Sequence, residues 1–357
     1  MADGLWTWFH ESTEQAVLTE DRERLHLINL HHRFWHHLET APQYSLTLLD
    51  EGVTLAQSLN APCWELFHHY WRTELLLFYT QQMDKALESA ISGVVKAGKP
   101  AYRDCAVVGD VYRILVDSHT WIDPAGYQDK IHQTIQHMRT HMALDTETSL
   151  VLIAREVQVA EATGDDDTAL QLAQHYLSKS DDYIFQRVHA WQYLTRILYR
   201  QGDKYSALNY AVLLEQTSRE NDYRLELCVA LASLARITQE IGKKEQALVY
   251  YHRAIREFIQ LRSVPTPDFF DALCGYLIAT ENIETAINLR EQQIKLLLER
   301  HTIHHECEAR LAYYQLLYDA GKPHESALDA AKESAQHLKK PDRYLTRLAK
   351  IAGASQS

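Results

Sequence analysis

Glycine and proline are scarce, 12 and 8 residues in a chain of 357, about half the usual share. Tight turns are therefore few. That disfavours sandwiches, barrels and glycine-rich nucleotide loops, and it favours helices. Long apolar runs are missing too: nothing approaches the ~18 residues of a membrane-spanning helix. Met1-Ala2-Asp3-Gly4-Leu5-Trp6 lacks the basic region and apolar run of a secretory signal. Positive charge is in deficit, with 36 Lys+Arg against 48 Asp+Glu and a net charge of −12. A nucleic-acid partner held by bulk electrostatics is thus unexpected. Cys63, Cys105, Cys228, Cys274 and Cys307 are an odd number without a CxxC. They read as reduced thiols of a cytoplasmic protein, most of them small core residues, and a zinc site built on cysteine is disfavoured. No GxGxxG, GxxxxGK[ST], GxSxG or HExxH occurs. The expectation is a non-enzyme with no cofactor and no metal.

What is present is a repeat. A turn residue, four variable positions, a small residue and an apolar one recur. The clearest copies are Gly164…Ala169-Leu170, Gly202…Ala207-Leu208 and Gly242…Ala247-Leu248. Weaker ones are Thr40…Ser45-Leu46, Gln81…Ala86-Leu87, Glu281…Ala286-Ile287 and Gly321…Ser326-Ala327. Ala125…Lys130-Ile131 is poor and is kept for its position. Successive small positions stand 41, 44, 39, 38, 40, 39 and 40 residues apart.

Each unit reads as two helices. Leu227, Leu231, Leu234 and Ile241 form one helical stripe, and Leu248, Tyr251, Ile255 and Phe258 another. Glycine ends the first helix in the left-handed conformation, and the small residue five positions on lets the second helix pack closely. Pro62, Pro100, Pro267 and Pro341 fall where helices should begin. Asp165-Asp166-Asp167 suits the dipole at a second-helix N-terminus. The predicted fold is all-α, an α-α superhelix of about eight helix pairs in one array over 1–357. Residues 1–20 form an N-terminal cap region carrying Trp6, Trp8 and Phe9, and 21–340 the repeats. Residues 341–352 form a capping helix, best defined over Asp342–Ile351, and 353–357 a frayed tail.

These residues resemble the tetratricopeptide-repeat (TPR) family. Leu231, Leu234, Ala235, Gly242, Ala247, Tyr251 and Ala254 stand at the family's large, small and aromatic positions in the sixth unit. The fifth matches through Trp191, Leu194, Leu198, Gly202, Ala207 and Ala211, with Thr195 in place of the usual Gly or Ala. A period near 40 resembles the longer variants in bacterial peptide-pheromone receptors and in the sensor regions of bacterial transcription activators. HEAT arrays share that period, and the Gly-x4-Ala turn favours TPR. The resemblance implies a fold that binds something, and no particular ligand.

Histidine numbers 20. The pairs His32/His36 and His137/His141 have metal-compatible spacing, with His68 and His69 on the next first helix, but solvated or core-edge rings are the plainer reading. The seven tryptophans and 20 tyrosines read mostly as core. One pattern stands apart: Arg33, Arg72, Arg113, Arg155, Arg196 and Arg236 are spaced by 39, 41, 42, 41 and 40. That is one per first helix. Trp71, Tyr112, Tyr193 and Tyr199 are among their aromatic neighbours. Arg72 and Arg155 lie 14 residues before their small anchor, Arg196 and Arg236 lie 11 before theirs. The spacing predicts either a concave stripe that binds carboxylates of a partner or an internal ladder to Glu74, Asp117 and Glu156. The functional expectation is a peptide- or protein-binding scaffold or regulatory subunit for an acidic segment. The alternative is a ligand- or peptide-sensing regulator acting on a separate effector chain, and a third reading is a metal-dependent enzyme on a helical-repeat scaffold.

Overall fold

A computed structural model describes residues 4–38, 40–261, 267–299 and 302–353. Among them no strand occurs. Helix α1 (Gly4–Leu18) precedes eight pairs: α2 (Arg22–His37) and α3 (Pro42–Ser58); α4 (Pro62–Glu74) and α5 (Met83–Ala97); α6 (Val108–Ile122) and α7 (Gln128–His141); α8 (Thr146–Thr163) and α9 (Asp166–Lys179); α10 (Ile184–Arg200) and α11 (Lys204–Glu220); α12 (Arg224–Glu240) and α13 (Lys244–Gln260); α14 (Pro267–Ala279) and α15 (Ile283–Glu299); α16 (Ile303–Asp319) and α17 (Glu325–Ala335). Helix α18 (Asp342–Gly353) follows. A π-helical turn, Leu75–Tyr79, extends α4. Two compact units form: unit 1 holds 1–122 and 127–149, unit 2 holds 123–126 and 150–357.

The turn chemistry read from the repeats holds. Gly164, Gly202, Gly242 and Gly321 take φ of +81, +88, +86 and +63. Gln81 and Glu281 take the same turn at φ 52 and 62 without being glycine. The small anchors Ser45, Ala86, Ala169, Ala207, Ala247 and Ala286 are fully buried, so the paired backbones approach closely. In the third and eighth units the anchor sits one residue later than expected: Lys130 and Ser326 are exposed, while Ile131 and Ala327 are buried. The eighth turn is one residue longer, and α17 starts only at Glu325. Asp165 caps α9 by accepting from the Thr168 N–H at 3.0 Å, and Asp203 caps α11 through the Ser206 N–H at 3.0 Å. Pro62 and Pro267 open α4 and α14, and Pro341 immediately precedes α18. Pro100 departs from expectation: it opens only a 3-10 turn, Pro100–Tyr102, and α6 begins at Val108.

Both ends of the chain are covered by helices. Phe9 on α1 stacks on Phe67 with centroids 5.1 Å apart, and Trp8 meets Trp64 at 5.0 Å. On α18, Tyr344 and Leu348 bury into the cluster of Cys307, Leu311, Ala331 and Ala335. Residues 354–357 of the expected tail lie outside the described residues.

The reading of five reduced thiols needs correcting. Cys63 and Cys105 form a disulfide, their Cα atoms 5.0 Å apart. Cys228, Cys274 and Cys307 are free and buried. The pair is 42 residues apart in sequence, about one repeat. The fold brings the first turn of α4 against the segment entering α6, a juxtaposition that CxxC-type spacing cannot register.

Candidate binding face

In each unit first helices pack on first helices: α4 on α6 in unit 1, α10 on α12 and α12 on α14 in unit 2. Side chains between them decide what the inner face offers.

In unit 1 the three repeat-spaced arginines do not share a face. Arg33 is exposed and donates to the Tyr44 hydroxyl on α3, over whose ring it lies at 5.9 Å. Arg72 turns to the second helices, with Nε 2.5 Å from Asp50 Oδ1 on α3 and a guanidinium nitrogen 3.2 Å from Ser89 Oγ on α5. Arg113 points between the first helices. It donates to the Tyr70 hydroxyl at 2.5 Å and to Glu74 at 3.3 Å on α4, and to Asp117 at 3.2 Å on its own helix. Asp110 lies 3.6 Å away. Burial pushes the Glu74 and Asp110 carboxyls up, against the pull of Arg113. Arg113 thus ties α6 to α4 through Glu74, while Asp117 is a partner on its own helix. Trp71 is core: its ring meets Trp35 at 5.0 Å and Trp6 at 5.7 Å, and its buried Nε1 has no hydrogen-bond partner. Tyr112 stacks on His137 of α7 at 5.1 Å and so faces a second helix.

Unit 2 differs. Arg155 on α8 donates to Gln158 at 3.1 Å. Arg196 on α10 grips Glu161 of α8 with two nitrogens, one of them Nε at 2.8 Å, and lies over the Tyr193 ring at 5.2 Å. Arg200 reaches the same carboxylate at 2.7 Å and Asp166 at 2.7 Å. Burial would raise the Glu161 carboxyl, but the two guanidiniums hold it below the usual carboxylate range. Tyr193 is buried beneath this pair. Arg236 on α12 is the exception. It is exposed and lies 4.3 Å from the Tyr199 ring centroid. Among the described residues it has no hydrogen bond to a carboxylate and no ion pair; the Tyr199 hydroxyl donates to Glu240 instead.

Facing these, Asp268 at the start of α14 is solvent-exposed. Burial by surrounding protein nevertheless raises its carboxyl, with Asp271 adding to the shift. His305 on α16 is only half-buried, yet burial and the neighbouring His304 lower it to about 4. Arg196 and Asp268 act on one another electrostatically although α12 lies between their helices.

The histidine pairs resolve as ring contacts. The His137 and His141 rings stack at 4.6 Å, and His141 Nδ1 lies 3.1 Å from the His137 carbonyl. His68 and His69 are core, and His32 and His36 are exposed. Sequence reasoning missed Glu161, Arg200 and Asp268. A signal for the first two exists: Glu161 lies 35 and 39 residues before Arg196 and Arg200, about one repeat, as Glu74 lies 39 before Arg113.

Among the described residues no helix is long and apolar enough to cross a membrane. No protein-family model matches the chain, and no curated protein is similar to it in sequence. Solved structures do resemble it. The apo form of the quorum sensor NprR from B. thuringiensis aligns with a TM-score of 0.61 and 13% identity, over 98% of this chain and 95% of that one. A Rap protein complexed with Competence and Sporulation Factor aligns with a TM-score of 0.55 and 13% identity, over 80% of each chain. At such low identity the likeness speaks to architecture, and the architecture is an all-α, TPR-like helical repeat.

Proposed function

We propose that the protein is a non-catalytic regulatory scaffold that binds a peptide or protein segment on the concave side of its first helices, and that the segment is acidic. The observation that carries the reading is Arg236, an accessible guanidinium on a tyrosine face that makes no ion pair among the described residues, with Glu240 and Asp268 attracting it from farther off. Guanidiniums so placed take carboxylates in a two-pronged grip, and the aromatic beneath stabilises the cation. Arg72, Arg113 and Arg196 already hold partners and serve as struts. Arg33, in contact with Tyr44, belongs to the proposal in second place, whereas Arg155 bonds Gln158 and the Tyr193 side chain.

The test is fluorescence anisotropy with a labelled peptide alternating glutamate and leucine. Binding should weaken as salt rises. Arg236→Gln should lower affinity about tenfold, equivalent to one lost charge-assisted contact, at an unchanged melting temperature. Arg196→Gln should instead cost stability, about 1–2 kcal/mol because Arg200 still neutralises Glu161. Equal affinity of the Arg236→Gln protein and the parent would overturn this reading.

A second reading, a ligand sensor that acts on a separate effector chain, gains from the likeness to a protein described as a quorum sensor and to one solved with a factor bound. Binding that changes the protection of a remote helix would favour it.

A further inference from the structure

Helix α18 does more than cover the last pair. Arg343 on its polar side donates to the main-chain carbonyl of Glu161, 182 residues earlier in sequence and on the first helix of unit 2. The approach is close: a Cβ on Gly164 would stand 3.1 Å from Arg343 Nε, so the site needs glycine both for its φ and for its bareness. Two further tethers flank it. The Lys339 N–H donates to Asp123 at 3.1 Å, and Arg347 donates to Glu308 of α16 at 2.5 Å. With Tyr344 and Leu348 sunk in the terminal core, the polar side of α18 spans from the last pair of unit 2 to its first helix.

The ion pairs at this crossing leave one guanidinium over. Glu161 is shared by Arg196 and Arg200, Asp166 by Arg200, and Glu308 belongs to Arg347. Among the described residues Arg343 makes no ion pair and holds a neutral carbonyl; Glu308 and Asp166 attract it from farther off, and Asp123 accepts main-chain N–H groups. Burial, and then Arg347 and Arg200, push it below the usual arginine range, against the pull of Glu308 and Asp166.

We propose that Arg343 is a carboxylate-binding point that doubles as a latch. An acidic side chain of a segment lying on the concave face of unit 2 pairs with Arg343, draws it off the Glu161 carbonyl, and frees the polar side of α18 from α8. This rests on the reading that the concave face takes an acidic segment. It assigns to α18 the coupling between ligand and a movable element, since a ligand shifts an equilibrium only by binding its two states unequally.

Hydrogen exchange of the full chain, with and without the glutamate–leucine peptide, tests it. Saturating peptide should speed exchange of the amides in 344–352 at least fivefold. Arg343→Gln should show the same fast exchange without peptide and bind the peptide about tenfold more weakly, with Arg343→Lys in between. Arg236→Gln should weaken binding while leaving α18 as protected as in the parent protein. Peptide binding to the parent with unchanged α18 exchange refutes the latch and leaves the concave-face reading standing. Absence of peptide binding to the parent at low salt removes both. If Arg343→Gln melts too early to be compared, the parent's exchange with and without peptide decides alone.

Discussion

Gly242 and Glu281 occupy equivalent turns, with φ of +86 and +62. A left-handed L-residue costs about 1–2 kcal/mol, and nothing lies within 4 Å of a Cβ placed on Gly242. Gly242→Ala should therefore lose about 1 kcal/mol through the backbone alone. Glu281→Gly should gain about 0.5 kcal/mol, the relief of strain less the added freedom of the unfolded chain. Thermal melts of the two variants should shift in opposite directions, and shifts of the same sign would sink the equivalence. The sequence suggested these turns at both positions, though only glycine states the reason. The arginines were less legible. Arg72 and Arg196 differ by three residues in register against their anchors, which turns a helix by about 300° and leaves a side chain about 60° off line. That offset separates Arg72, facing α3 and α5, from Arg196, facing α8.

At the scale of helices, periodicity was legible because each pair must bury its stripe against its neighbours. Where that logic weakens, the reading slipped: by one residue at Ile131 and Ala327, and at Pro100, whose backbone suits a 3-10 turn as well as an α-helix. The π-helical turn after α4 left no mark in composition. The amphipathic pattern of α18 showed its apolar face but could not show its arginines reaching a helix 182 residues away. Deleting residues 342–357 should expose the cluster around Cys307, Leu311 and Ala331, lower the melting temperature and promote self-association. Calorimetry and light scattering read both effects; a monomer with an unchanged melt would show that the helix covers nothing of consequence.

At the scale of the whole chain, stability should depend on pH through buried neutral histidines. Burial, with His68 and His32 adding to it, lowers His31 to about 2, and burial lowers His68 to about 4. The buried Nδ1 of His31 and Nε2 of His68 have no hydrogen-bond partner. Both rings bind protons more readily when unfolded. Their full contribution thus holds above the unfolded value near 6.5 and falls as pH drops below it. By pH 5 each should have cost about 2 kcal/mol. Melts between pH 7.5 and 5 should show unit 1 weakening, and His68→Gln should flatten the slope; an unchanged slope would mean that the ring is protonated or hydrated in the fold. The candidate site was only partly legible. Arg236 and Tyr199 stand in the repeat, but what leaves Arg236 open is that no carboxylate comes within ion-pair distance of it among the described residues, and such a relation needs the helices in place before it can be seen.

The Cys63–Cys105 bond gives unit 1 a covalent ring, with 42 residues of separation between its closing atoms. The ring takes in α4, its π-helical extension, α5 and the 3-10 turn. An unfolded chain tied in this way has fewer shapes to explore, an effect worth about 4 kcal/mol for a loop of that length in the chain-entropy model. Unit 2, with its three thiols unpaired, has no such restraint. The two units thus draw on different sources of persistence, one partly from disorder tied off in its unfolded ensemble, the other from packing and ion pairs without a covalent ring.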